Sequence, residues 1–243
     1  MAVMVGMIGL AWFSLALWGQ SPYARYLHHD ALEDVTSNRG GVLLVVFVSG
    51  WTLMTIAMML PTSLPLIALF QRMTERRPDS AQLAGLLIAG YLLVWILFGF
   101  VAHLADLGIH QVVHRLAPIE RNEWTIGAGM LLLAGMYQFT TLKYHCLDKC
   151  RTPLSFIASR WSGQNAQRAA FQLGVDHGIF CVGCCWTLML LMFLVGAGNV
   201  FWMLLLGSIM AVEKNFSWGR QVTRPLGIGL VTAAGAISLL AVT

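Results

Sequence analysis

The sequence predicts an all-α, polytopic transmembrane helical bundle of about seven spans, one domain over residues 1–243, with a cytoplasmic N-terminus. Three observations carry this. The chain is 58% hydrophobic and only 11% charged, against about 25% charged in soluble proteins. Residues 41–70, 80–102, 124–142, 178–212 and 225–243 contain no Asp, Glu, Lys or Arg. Lys and Arg are shared unequally between alternate loops.

A helix needs roughly 20 apolar residues to cross the hydrocarbon layer, and its backbone groups must be paired within the helix there. The first charge after the start is Arg25, so 2–19 reads as a retained span: it lacks the basic n-region of a signal peptide. Spans then follow at 41–67, 82–103 and 124–143. The window 178–212 is too long for one crossing, and Gly196-Ala197-Gly198-Asn199 divides it by a turn. Spans at 176–196, 198–217 and 225–243 complete the set. Pro61 and Pro65 are expected to kink the end of the second. The linker 150–170, with Arg160-Trp161-Ser162-Gly163, reads as a short interfacial helix plus loop.

A cytoplasmic N-terminus places Arg72, Arg76, Arg77, Lys143, Lys149, Arg151, Arg160, Arg168, Lys214, Arg220 and Arg224 inside. Arg25, Arg39, Arg115 and Arg121 fall outside. That is the positive-inside pattern, and it explains the net charge of +4. Basic residues without aromatic interleaving give no support to a nucleic-acid partner; the expected surroundings are membrane lipid, with a soluble or membrane partner subunit beside it.

All five cysteines lie between 146 and 185. At 100° per residue, His177, Cys181, Cys184 and Cys185 fall at about 0°, 40°, −20° and 80°, on one helical face. Cys146 and Cys150 form a second i,i+4 pair after the fourth span. Single buried cysteines behave as small hydrophobes, but this many potential ligands together point to a soft metal ion. Met54 and Met58, also i,i+4, could add thioethers. Thiolate with thioether favours Cu(I), while thiolate with imidazole also suits zinc. Glu213 is expected beside the thiols: it and Cys181 each lie 16 residues from the turn at 197, hence at a common depth of about 24 Å. Its bland alternative is an ion pair with Lys214 or a loop Arg. On the outer side His103, Asp106, His110 and His114 share a face, with His28, His29 and Asp30 in an earlier loop. They form either a second, harder metal site or a polar stripe on a helix leaving the membrane.

Several of these segments carry a resemblance. They are Met54-Thr55-Ile56-Ala57-Met58-Met59-Leu60-Pro61; Tyr137-Gln138 with Leu142-Lys143; Cys146-Leu147-Asp148-Lys149-Cys150-Arg151-Thr152-Pro153; Gly174-Val175-Asp176-His177-Gly178 with Cys181-Val182-Gly183-Cys184-Cys185-Trp186; and Glu213-Lys214. Over about residues 41–240 the chain resembles the bacterial family of predicted metal-binding integral membrane proteins, catalogued largely as a domain of unknown function. The resemblance implies a multi-pass protein of the bacterial inner membrane, with those methionines, cysteines and His177 as ligands. It implies no reaction, and the outer histidines are not part of it.

The function expected is holding Cu(I), for copper handling or as the metal-bearing subunit of a membrane oxidase-type complex. One rival is a membrane thiol–disulfide oxidoreductase using Cys181/Cys184 and Cys146/Cys150; the other is a structural subunit without metal. Against the redox rival, an i,i+3 cysteine pair inside a regular helix is poorly placed for a disulfide. Heme attachment is disfavoured because Cys-x2-Cys-His does not occur.

Overall fold

The computed structural model describes residues 2–20, 40–115, 124–161, 165–195 and 199–242. Among them every regular element is a helix: α1 (Ala2–Gly19), α2 (Gly40–Thr62), α3 (Leu64–Thr74), α4 (Ser80–Arg115), α5 (Trp124–Tyr137), α6 (Thr141–Arg151), α7 (Pro153–Ala158), α8 (Ala166–Val195), α9 (Val200–Asn215) and α10 (Gly219–Val242). Four helical stretches are long and apolar enough to cross a membrane: Leu44–Thr62, Ser80–Gly108, Ala166–Met192 and Gly219–Ala241. The pair α5 and α6 would make a fifth as one broken span, bent by 65°. Met4–Gly19 is a shorter apolar helix.

Of the helix boundaries that depart from the sequence expectation, three bear on the site. The second expected span stops at Thr62, not 67. The Ser63 amide donates to the Leu60 carbonyl, and α3 restarts with Pro65 in its first turn, where a missing N–H costs nothing. The fourth span breaks at 138–140. There Thr140 caps α6 by accepting from the Lys143 amide, so the Cys146/Cys150 segment lies on a separate, redirected helix. The fifth begins ten residues early, at Ala166 rather than 176, which buries part of the expected linker.

The helix pair with the most extensive contact is α4 with α8, and glycines bring the two backbones together. A Cβ on Gly174 would strike the Leu87 carbonyl, one on Gly90 the Phe171 carbonyl, and one on Gly178 would lie 2.9 Å from Val94. Gly174 and Gly178, four residues apart, form the small-xxx-small face that lets membrane helices approach closely. Such close approach gives the two helices extensive van der Waals contact. Its consequence is local: it sets Tyr91 of α4 against Cys181 of α8. On the other side of α8, Gly183 leaves room for Cys146 of α6, whose sulfur lies 2.6 Å from where a Cβ would be.

Indole N–H groups tie α1 to α2 and α2 to α4. Trp12 of α1 donates to the Ala57 carbonyl of α2 at 3.0 Å, and Trp51 of α2 donates to the Trp95 carbonyl of α4 at 2.8 Å. The exposed apolar residues, among them Leu10, Phe13, Leu97, Val101, Ile228 and Leu239, lie on outward helix faces, the arrangement expected where the surroundings are lipid.

Candidate metal centre

The centre is assembled from five helices at the end of the bundle where α2 and α9 finish. Four thiols converge there. Cys181, Cys184 and Cys185 are fully buried on α8, and the half-buried Cys150 of α6 lies near enough to Cys184 to act on it. Cys146 lies beside them against Gly183. All five cysteines are free thiols. The Cys184 and Cys185 thiols donate back to the Cys181 carbonyl at 3.1 and 2.9 Å, the i−3 and i−4 positions that a helical side chain reaches. Among the described residues no three His, Cys, Asp or Glu side chains are set to grip one ion together. The cysteines are neighbours, and a shared ligand would require their thiols to rotate off the helix backbone.

A thioether completes the sulfur group. Met59 Sδ lies 3.7 Å from Cys185 Sγ. Sequence reasoning singled out Met54 and Met58, and both are buried, but Met58 packs toward Gly207 of α9. Met59 was present in the same motif. The resemblance includes it among the implied ligands, but i,i+4 spacing alone selects Met54 and Met58 without saying which face of α2 meets the thiols.

Two further side chains at the sulfurs were not anticipated. The Tyr91 hydroxyl lies 3.1 Å from Cys181 Sγ and 3.3 Å from the Met59 carbonyl. Lys214 Nζ lies 3.0 Å from Cys181 Sγ, 3.7 Å from Cys185 Sγ, 3.8 Å from Met59 Sδ and 3.2 Å from Thr62 Oγ1. The depth argument does bring the end of α9 level with Cys181, but the group facing the thiols there is the ammonium of Lys214.

Glu213 is turned to another neighbour. Its carboxylate binds Lys143 Nζ at 3.0 and 2.9 Å and receives the Thr223 hydroxyl at 2.9 Å. Lys143 also donates to the Gln138 side-chain carbonyl, which is itself held by its amide on the Ala134 carbonyl. Arg151 donates to the Glu213 backbone carbonyl. Every strong donor or acceptor in this group is matched, as a buried charge requires.

His177 is buried one turn before Cys181. Its Nε2 lies 3.1 Å from Ser63 Oγ, its ring stacks on Tyr91 at 5.6 Å, and Nδ1 finds no hydrogen-bond partner among the described residues. Asp176, next to it, faces outward and pairs with Arg160 at 2.6 Å. Arg160 in turn lies over the Phe156 ring.

At the other end of α4, His103 is buried and stacked on Phe47 at 4.5 Å, with Nδ1 unpartnered among the described residues and Asp106 near enough to act on its charge. The backbones of His110 and His114 continue α4, but their side chains lie outside the described residues, as do His28, His29 and Asp30 entirely. The outer stripe is thus placed only at its first turn.

No curated protein and no solved structure matches the chain. A family model does, over residues 48–237, a stretch that includes every cysteine together with Met59, Tyr91, Lys143, Glu213 and Lys214. On that match the chain belongs to the PpoB2 copper chaperone family.

Proposed function

We propose that the protein is a membrane-embedded carrier of Cu(I), which it holds as cargo and gives up to a partner protein. The sulfurs of Cys150, Cys181, Cys184, Cys185 and Met59 are the ligands, with Cys146 and His177 at their margin. The single observation behind this reading is the convergence of sulfur from three helices: thiols from α6 and α8 and a thioether from α2. Soft thiolate and thioether donors select Cu(I) over the harder divalent ions. A buried sulfur site also suits an ion that must be kept from water and oxygen.

The bundle crosses a bacterial inner membrane seven times, with α1, α9 and the α5–α6 pair as the crossings that length alone does not identify. The N-terminus is cytoplasmic. Lys143 and Lys214 are buried and so drop out of the loop count, leaving nine basic residues at the end of the bundle that carries the sulfurs. Against them stand Arg25, Arg39, Arg115 and Arg121, which the sequence assigns to the alternate loops. That asymmetry still favours the cytoplasmic side for the sulfur-bearing end. Handing the ion on needs an acceptor with comparable donors, because Cu(I) moves between thiolate sites by ligand exchange more readily than through water.

Elemental analysis of protein purified in detergent tests the reading. Copper near one ion per chain is expected in the wild type, and almost none after Cys181, Cys184 and Cys185 are replaced by Ser. Copper retained in full by the triple variant would overturn it.

A further inference from the structure

We infer that Lys214 is a specificity-determining residue: its buried positive charge on the sulfur cluster makes the site select a monovalent over a divalent ion. The inference rests on the Cu(I) reading above and adds to it the reason why sulfur ligands that also suit zinc would be reserved for copper.

The geometry identifies the lysine as a donor on every side. Thr62 Oγ1 gives its own proton to the Met59 carbonyl at 2.8 Å, so at 3.2 Å from Lys214 it can only accept. The Met59 thioether has no proton to give. Cys185 directs its thiol proton at the Cys181 carbonyl, leaving lone pairs toward Lys214 at 3.7 Å. Cys181 Sγ, 3.0 Å from Nζ, also meets the Tyr91 hydroxyl. A terminal nitrogen surrounded by four acceptors is the setting of a three-donor ammonium, and at 5% exposure little solvent screens it. The carboxylate closest in sequence, Glu213, offers no neutralisation, because it is engaged by Lys143 and Thr223. No other side chain of α2, α4, α6 or α8 described at this cluster is a carboxylate: they contribute Met59, Thr62, Ser63, Tyr91, Cys146, Cys150, His177, Cys181, Cys184 and Cys185.

A fixed unit of positive charge repels an incoming ion in proportion to that ion's charge. At an equal number of thiolates, formed as the thiols release their protons to solvent on binding, Cu(I) meets this repulsion once and Zn(II) twice. Removing the charge at constant ligands must therefore help zinc more than it helps copper. The ammonium can stay hydrogen-bonded to Thr62 as an ion settles among the sulfurs, so the discrimination persists in the loaded site.

The test is the ratio of Zn(II) to Cu(I) affinity in the purified full chain, each ion measured alone by competition with a chromophoric chelator. For Lys214→Leu, and independently Lys214→Gln, the ratio is expected to rise at least about tenfold, a floor for one unit charge acting over a few ångströms in a partly screened interior. Lys214→Arg, which keeps the charge, is expected to stay within about threefold of wild type. Ratios unchanged in both neutral variants would overturn the inference while leaving the copper reading intact, as would a rise in Lys214→Arg equal to that in Lys214→Leu. A wild type that binds no Cu(I) would instead remove the reading beneath it.

Discussion

Two lysines are buried at one end of this bundle, and they are stabilised in opposite ways. Lys143, with no exposed surface, is held by oxygen: both carboxylate atoms of Glu213 and the side chain of Gln138. Lys214, the residue after Glu213, is held mainly by sulfur. Adjacent positions on α9 point about 100° apart, so one turn of helix serves two unlike clusters. The oxygen cluster is complete, and nothing that could enter would improve it. The sulfur cluster is held by weak hydrogen bonds to soft atoms, which a soft cation can replace with stronger bonds. We read the first as structural reinforcement of an α6–α9–α10 joint and the second as the working site.

Breaking the oxygen cluster should give the largest effect on folding. Lys143→Met leaves the Glu213 carboxylate buried without its counter-charge, which costs about 3–5 kcal/mol when one partner of such a pair is lost. A large fall in the thermal midpoint in detergent is expected, with copper affinity per folded molecule nearly unchanged. The double change Lys143→Met with Glu213→Gln should recover much of the loss, since no unpaired charge then remains. If the single change lowered copper affinity while sparing stability, the division between the clusters would fail.

The next effect concerns the helix contact that brings the sulfur cluster together. Gly174→Ala introduces a methyl group onto the Leu87 carbonyl, and the two backbones must part. Overpacking of this kind costs about 1–3 kcal/mol, and the shift should also move Tyr91 from Cys181 and weaken copper retention. Gly85, with open space where its Cβ would be, is the control: Gly85→Ala should be neutral or slightly stabilising.

The methionines sharpen the comparison further. Met59→Leu should weaken copper binding about tenfold, the equivalent of losing roughly 1.4 kcal/mol of binding, with little change in stability because volume is conserved. Met54→Leu and Met58→Leu should leave copper binding as it is. Equal losses at all three would return the Met54/Met58 pair to the ligand set.

The smallest effect belongs to the exposed Arg77–Asp79 pair at the start of α4, bonded at 2.8 Å. Arg77 holds the Asp79 carboxyl below its usual value through their hydrogen bond. A depressed carboxylate contributes stability above its unfolded value, and that contribution is lost as pH falls through the folded one. For so exposed a pair the contribution is small, so Arg77→Ala should lower the thermal midpoint at neutral pH only marginally and leave copper content unchanged. That marginal difference from wild type should vanish as pH falls through the folded value of Asp79.

Much of this was legible in the chain. The charge-free windows coincide with the long apolar helices, and the face shared by Cys181, Cys184 and Cys185 is fixed by helix periodicity alone. What could not be read was rotation and partnership. A wheel shows that Met54 and Met58 share a face, yet whether Met58 or Met59 meets the thiols depends on how α2 is turned. Lys143 counts as an inside charge in the sequence, since nothing in a linear count reveals that a break at 138–140 folds α6 back into the bundle; Lys214, at the end of the expected sixth span, is likewise buried. The Gly174/Gly178 spacing is the signal in the chain for the close α4–α8 contact. The turn of α9 was placed at the correct depth, and only the side chain presented there differed.

X-ray absorption at the copper edge, on the purified protein loaded with Cu(I), bears most directly on the sulfur site. A first shell made of sulfur is expected, disappearing when Cys181, Cys184 and Cys185 are changed to Ser and unaffected by His103→Ala. A shell dominated by nitrogen or oxygen that survives loss of the three cysteines would contradict the account and direct attention to the histidine end of α4.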